Sequence, residues 1–117
     1  MDEMADVAQL LAADRRTTVE RLAALRQGFA VVIDASEGSN ADDEHDPEGS
    51  TIAYERSQLA ALIEQSERHL VEIDAALARV ADGTHGICAV CGQPIPQGRL
   101  EARPTATTCV RHATTRR

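Results

Sequence analysis

Met4–Val32 reads MADVAQLLAADRRTTVERLAALRQGFAVV, and Ile52–Val80 reads IAYERSQLAALIEQSERHLVEIDAALARV. In the first stretch, alternating steps of four and three pick out Met4, Ala8, Leu11, Arg15, Thr18, Leu22, Leu25, Phe29 and Val32, seven of them apolar. The same period in the second picks out Ile52, Arg56, Leu59, Ile63, Ser66, Leu70, Ile73, Leu77 and Val80. That spacing is the seam of a coiled coil. Each helix spans about 30 residues, or roughly 45 Å at 1.5 Å per residue. Neither stretch holds an internal proline, and alanine and leucine, both strong helix formers, dominate them.

Between the two runs, residues 34–51 are rich in Gly, Ser, Asn and acid, the composition of a connection. The simplest architecture is therefore a long antiparallel two-helix coiled-coil hairpin over residues 1–82, with an acidic tip loop at 34–51. With the turn centred near residue 42, facing residues sum to about 84, which sets Leu25 opposite Leu59, Leu11 opposite Ile73, Thr18 opposite Ser66, and Phe29 near Glu55 and Arg56. The polar pair Thr18 and Ser66 either fixes register or bonds each residue to its own helix backbone. The same heptads would also serve an intermolecular coiled coil; the hairpin reading predicts a monomer. Asp46-Pro47-Glu48 supplies a start signal for the second helix, with Asp46 capping free amides and proline at the first position, and Gly83 supplies its stop.

At 117 residues the chain has room for one modest domain or a small module with an elongated arm, not for a second enzyme-sized domain. Phe29 and Tyr54 are its only aromatic residues, so a globular core built on large rings is excluded. No run approaches the roughly 18 apolar residues of a membrane span, and Met1-Asp2-Glu3-Met4 is unlike a signal peptide, so a soluble cytoplasmic protein is expected. The net charge is −7, and residues 34–51 hold seven acids and no arginine or lysine, whereas residues 83–117 carry a net +4. Acid this concentrated argues against a general nucleic-acid coat, and direct DNA binding is not expected.

Residues 83–117 contain all three cysteines and three of the four prolines with no long periodic run, and read as a separate module too small to fold without a staple. Cys88-Ala89-Val90-Cys91 and Cys109-Val110-Arg111-His112 form a C-x2-C-x17-C-x2-H arrangement. Two close pairs can present three sulfurs and a nitrogen tetrahedrally to one Zn²⁺. A disulfide would strand the third cysteine and is disfavoured in a reducing cytosol, and no βαβ pattern supports a redox motif. Four donors leave no open position for a catalytic water, so the zinc is expected to be structural. His85, three residues before Cys88, competes with His112 for the fourth place; a pair closing from the far side of the loop is the more reasonable arrangement. His69 reads as a solvated or seam-flanking helical histidine and His45 as a polar loop residue, and the sequence marks neither as a catalytic base. No nucleophile or base is in view, and the chain is not expected to be an enzyme.

The run Gly86-Ile87-Cys88-Ala89-Val90-Cys91-Gly92, then Pro94-Ile95-Pro96 and Arg99-Leu100-Glu101-Ala102-Arg103-Pro104-Thr105-Ala106 before Cys109, resembles the zinc-finger signature of the DksA/TraR family of bacterial transcription regulators. With the preceding hairpin the likeness covers residues 1–113. It implies a protein that binds bacterial RNA polymerase rather than promoter DNA, pushing its coiled coil into the secondary channel so that an acidic tip approaches the active centre and modulates initiation. Carboxylates there could act on the coordination of a catalytic Mg²⁺. Carried over residue by residue, Asp46 matches the first acid of the family's Asp-Pro-x-Asp tip, with Asp42, Asp43, Glu44 and Glu48 as its acidic neighbours. Gly49 stands where the second acid is usual, His112 where the fourth ligand is usually cysteine, and the tail from Ala113 to Arg117 is shorter than the C-terminal helix of longer members that bind guanosine tetraphosphate with polymerase. Arg99, Arg103 and Arg111 are candidate contacts to polymerase or nucleic acid. The competing reading is a zinc-ribbon module that binds nucleic acid through these arginines with Arg116 and Arg117, against which the absence of stacking aromatics in the module counts.

Overall fold

The computed structural model describes residues 3–37 and 47–114. Two long helices, α1 (Glu3–Glu37) and α2 (Pro47–Asp82), are followed by a short α3 (Gln97–Ala102) and a 3₁₀ turn at Val110–His112. The chain is mainly helical, an antiparallel two-helix hairpin followed by a small cysteine- and histidine-bearing module; among the described residues the only β pairing is an isolated antiparallel bridge between Ile87 and Pro94. Proline at the first position of α2 fits the rule that its missing N–H is no loss there. Asp46, expected as the cap, lies outside the described residues. α1 continues to Glu37, so Asp34 and Glu37 sit on its last turn.

Contacts group into two units, one of Met1–Arg16 with Val71–Arg117 and one of Thr17–Leu70. In the first, the start of α1 packs against the end of α2 through Val7, Leu11, Ile73 and Ala76, with Leu77 and Val80 against them. Leu11 and Ile73, expected to face each other, are both fully buried. Beside this core the Arg15 Nε donates to Asp74 Oδ1 at 2.8 Å on an exposed face. In the second unit Thr18, Leu22 and Ser66 are buried, Leu25, Phe29, Leu59 and Ile63 are half-buried, and Arg26 Nη2 meets Glu67 Oε2 at 3.2 Å.

The end of α2 is set by Gly83, whose φ of 83° only glycine adopts without strain. Thr84 N–H reaches back to the Arg79 carbonyl at 2.9 Å and Gly83 N–H to that of Val80 at 3.3 Å, the paired bonds of a Schellman motif. Asp82 Oδ1 accepts from both the Thr84 hydroxyl, at 2.6 Å, and its N–H, and these bonds hold its carboxyl below the usual aspartate range. The chain is thereby turned sharply out of the helix just before the cysteines.

Candidate metal centre

Glycines shape the first half of the site. Gly86 and Gly92 both have positive φ, 88° and 74°, and bracket a tight reversal: Ile95 N–H donates to the Gly86 carbonyl at 2.7 Å, Cys88 N–H to Gln93 at 2.8 Å, and Gly92 N–H to Cys88 at 2.9 Å. This turn sets the thiols of Cys88 and Cys91 on one side. Ala89 N–H then donates to the Thr107 carbonyl at 2.8 Å, tying the first pair to the segment that leads into the second. There the 3₁₀ turn, closed by His112 N–H to the Cys109 carbonyl at 3.0 Å, stacks His112 over Cys109. Cys88, Ile95, Leu100, Ala106 and Cys109 form the small core beneath, with Val90 and Cys91 packed on it.

The donor atoms of Cys88, Cys91, Cys109 and His112 all lie within 4.8 Å of one another. Sγ of Cys91 and Cys109 are 3.9 Å apart, and His112 Nδ1 is 3.2 Å from Cys109 Sγ and 3.7 Å from Cys88 Sγ. A regular tetrahedron with Zn–S of about 2.3 Å and Zn–N of about 2.05 Å has edges of about 3.8 Å between sulfurs and about 3.6 Å between sulfur and nitrogen. The four side chains therefore fit one zinc ion, as donors of the right chemistry at the right separations. When bound, such an ion supplies folding energy to a module with little core of its own.

Electrostatics at the thiols are uneven. Burial is the largest single influence on Cys88 and opposes ionisation, but N–H groups of Cys109, Cys91 and Val90 directed at its sulfur, with the Cys91 thiol, outweigh burial and pull its pKa down to about 5. At Cys91 the Gln93 N–H favours the thiolate, while burial and the sulfurs of Cys88 and Cys109 together raise the pKa above the usual thiol value. Cys88 would thus offer a bound zinc ion its sulfur as thiolate, and the ion would supply the charge that favours thiolate donors.

The two candidate histidines separate cleanly. His85 is buried, 5% exposed, and its Nε2–H donates to the Pro104 carbonyl at 2.9 Å, pinning the Arg-Pro run to the start of the module; it is not among the gathered donors. His112 is.

Other expected site residues are placed as follows. Arg99 and Arg103 line a cleft of about 510 Å³ with Glu72, Arg79 and Thr108, and Arg99 Nε donates to the Thr108 carbonyl at 2.8 Å. Arg79 Nη2 is buried there without a hydrogen-bond partner among the described atoms. The sequence reading missed Arg79, which looks like any other helical arginine until segments 71–79 and 99–108 meet. Arg111 is exposed on the 3₁₀ turn and lines no part of the cleft. Asp42, Asp43, Glu44 and Asp46 lie outside the described residues, as do Arg116 and Arg117; Glu48 is the second residue of α2.

Comparison with known proteins bears on this geometry directly. Residues 83–111 match the family model described as the prokaryotic dksA/traR C4-type zinc finger. The chain is 42% identical over 74 residues to the Bacillus subtilis protein YteA, covering 63% of this chain and 31% of that one. It is 56% identical over 45 residues to the RNA polymerase-binding transcription factor DksA of Caulobacter vibrioides, covering 38% and 32%. Its alignments thus span about a third of the length of these curated relatives. The structure of transcription factor DksA2 from Pseudomonas aeruginosa matches with a TM-score of 0.77 at 27% identity, over 94% of this chain and 81% of that one. The resemblance read from the cysteine module therefore holds: residues 83–111 match the zinc finger of the DksA/TraR family, and the helical hairpin with its cysteine module has the fold of DksA2.

Proposed function

We propose that the chain is an RNA polymerase-binding transcription regulator, acting without chemistry of its own, whose hairpin enters the secondary channel and brings acid to the active centre. The observation that carries the reading is the pairing of a DksA/TraR finger with a DksA-like hairpin, together with a Caulobacter relative named as RNA polymerase-binding. Charge supports it. Seven acids and no arginine or lysine fall between residues 34 and 51, in and around the segment that joins α1 to α2. In this reading Asp46 is the principal tip residue, Asp42, Asp43, Glu44 and Glu48 support it, and the finger is a structural foot. Arg99 and Arg103, in the cleft, and the exposed Arg111 are the surface offered to polymerase. The protein works as a monomer in the cytoplasm, and no described helix is long and apolar enough to cross a membrane.

Transcription in vitro with purified polymerase tests this. Asp46→Asn is expected to retain binding to core polymerase and lose the effect on initiation, since the carboxylate acts at the active centre and not in docking. Salt-sensitive binding of the isolated protein to DNA or RNA, with no affinity for polymerase, would instead establish the nucleic-acid module built on the same arginines.

A further inference from the structure

The family finger is of the C4 type, whereas the fourth donor here is an imidazole. A histidine is bulkier than a cysteine, and the turn that carries it is short. From Cys109 to His112 the backbone makes a single 3₁₀ turn, with His112 N–H bonded to the Cys109 carbonyl. A cysteine Sγ stands one bond from Cβ; Nδ1 of a histidine stands two bonds away, and Nε2 is farther out on the ring. Only Nδ1 comes near the place a thiolate would occupy at this spacing. It is Nδ1 that faces the sulfurs of Cys109 and Cys88, at 3.2 and 3.7 Å, on either side of the tetrahedral edge of about 3.6 Å.

We propose that His112 closes the finger through Nδ1 and is the residue that sets its metal preference, holding the site on zinc and away from the softer cations that an all-thiolate finger favours. Two consequences follow from the donor chemistry. Replacing one thiolate by neutral nitrogen makes the bound complex one unit less negative and its donor set harder, which disfavours cadmium relative to zinc. Committing the Nδ1 lone pair to metal leaves the ring proton on Nε2, so His112, half-buried at the edge of the site, offers an N–H donor where a C4 finger offers only sulfur.

The test uses the full chain loaded with Co²⁺, Zn²⁺ or Cd²⁺, as wild type, His112→Cys and His112→Ala. His112→Cys is expected to fold with bound metal, to intensify the thiolate-to-cobalt charge-transfer band, to move the cadmium NMR resonance toward that of a four-sulfur site, and to shift zinc–cadmium competition toward cadmium. Long-range proton–nitrogen NMR of the zinc form should show Nδ1 as the metal-bound nitrogen and Nε2 as protonated. His112→Ala, whether it folds or not, should lose the nitrogen signature. A cobalt spectrum unchanged by either substitution, metallation at Nε2, or an unaltered zinc–cadmium ratio in His112→Cys would each overturn the proposal.

Discussion

Each cysteine of the finger is both a metal donor and part of a core. Cys88 and Cys109 are buried among Ile95, Leu100 and Ala106, so losing one sulfur removes a ligand and leaves a polar or empty site in the apolar cluster formed by the module's described residues. Cys88→Ser is therefore expected to abolish stoichiometric zinc and to expose residues 84–112 to proteolysis, while α1 and α2 remain helical by circular dichroism. A variant that kept its zinc and its protease resistance would show that Cys88 is not a ligand. His85 and His112 illustrate what spacing cannot decide. Each lies three residues from a cysteine, one before Cys88 and one after Cys109, and sequence separation alone does not distinguish them. The difference arises from backbone: Gly86, with positive φ, reverses the chain just after His85 and leaves its ring bonded to Pro104, whereas the 3₁₀ turn carries His112 back over Cys109.

At the scale of the helices, the apolar period was legible because a seam of threes and fours survives any local detail of packing. Leu11, Leu22 and Ile73 are buried where that period puts them, and Arg15 and Arg56, its charged interruptions, are exposed. Val7 and Ala76 were not picked out, although both are core. An α-helix has 3.6 residues per turn and not 3.5, so the buried stripe drifts by about 20° per heptad and residues beside the seam enter the core. Energetics should follow burial, not charge pairing. Leu11→Ala is expected to cost about 2–5 kcal/mol in chemical denaturation, because the side chain is fully enclosed by Ile73 and its neighbours. Arg15→Ala breaks a 2.8 Å ion pair with Asp74 on an exposed face and should leave the melting temperature nearly unchanged, since solvent screens such pairs. A large loss from Arg15→Ala with little from Leu11→Ala would invert this account of the hairpin.

For the molecule as a whole, the finger and the hairpin were readable from spacing, and the arginine cleft was not. Arg79 on α2 and Arg99 and Arg103 around α3 come together only after the Schellman turn at Gly83 and the reversals at Gly86 and Gly92 have folded the module back, and no periodicity encodes that meeting. The central claim concerns the acidic segment, whose role rests on charge and kinship. The most direct measurement places a photo-crosslinking amino acid at position 46 of the zinc-loaded protein bound to purified RNA polymerase, and maps the adducts. The account predicts crosslinks to polymerase residues around the active-centre magnesium, lost when the secondary channel is blocked. Crosslinks confined to the outer surface of polymerase or to DNA, or none at all with a folded, metal-loaded protein, would contradict it.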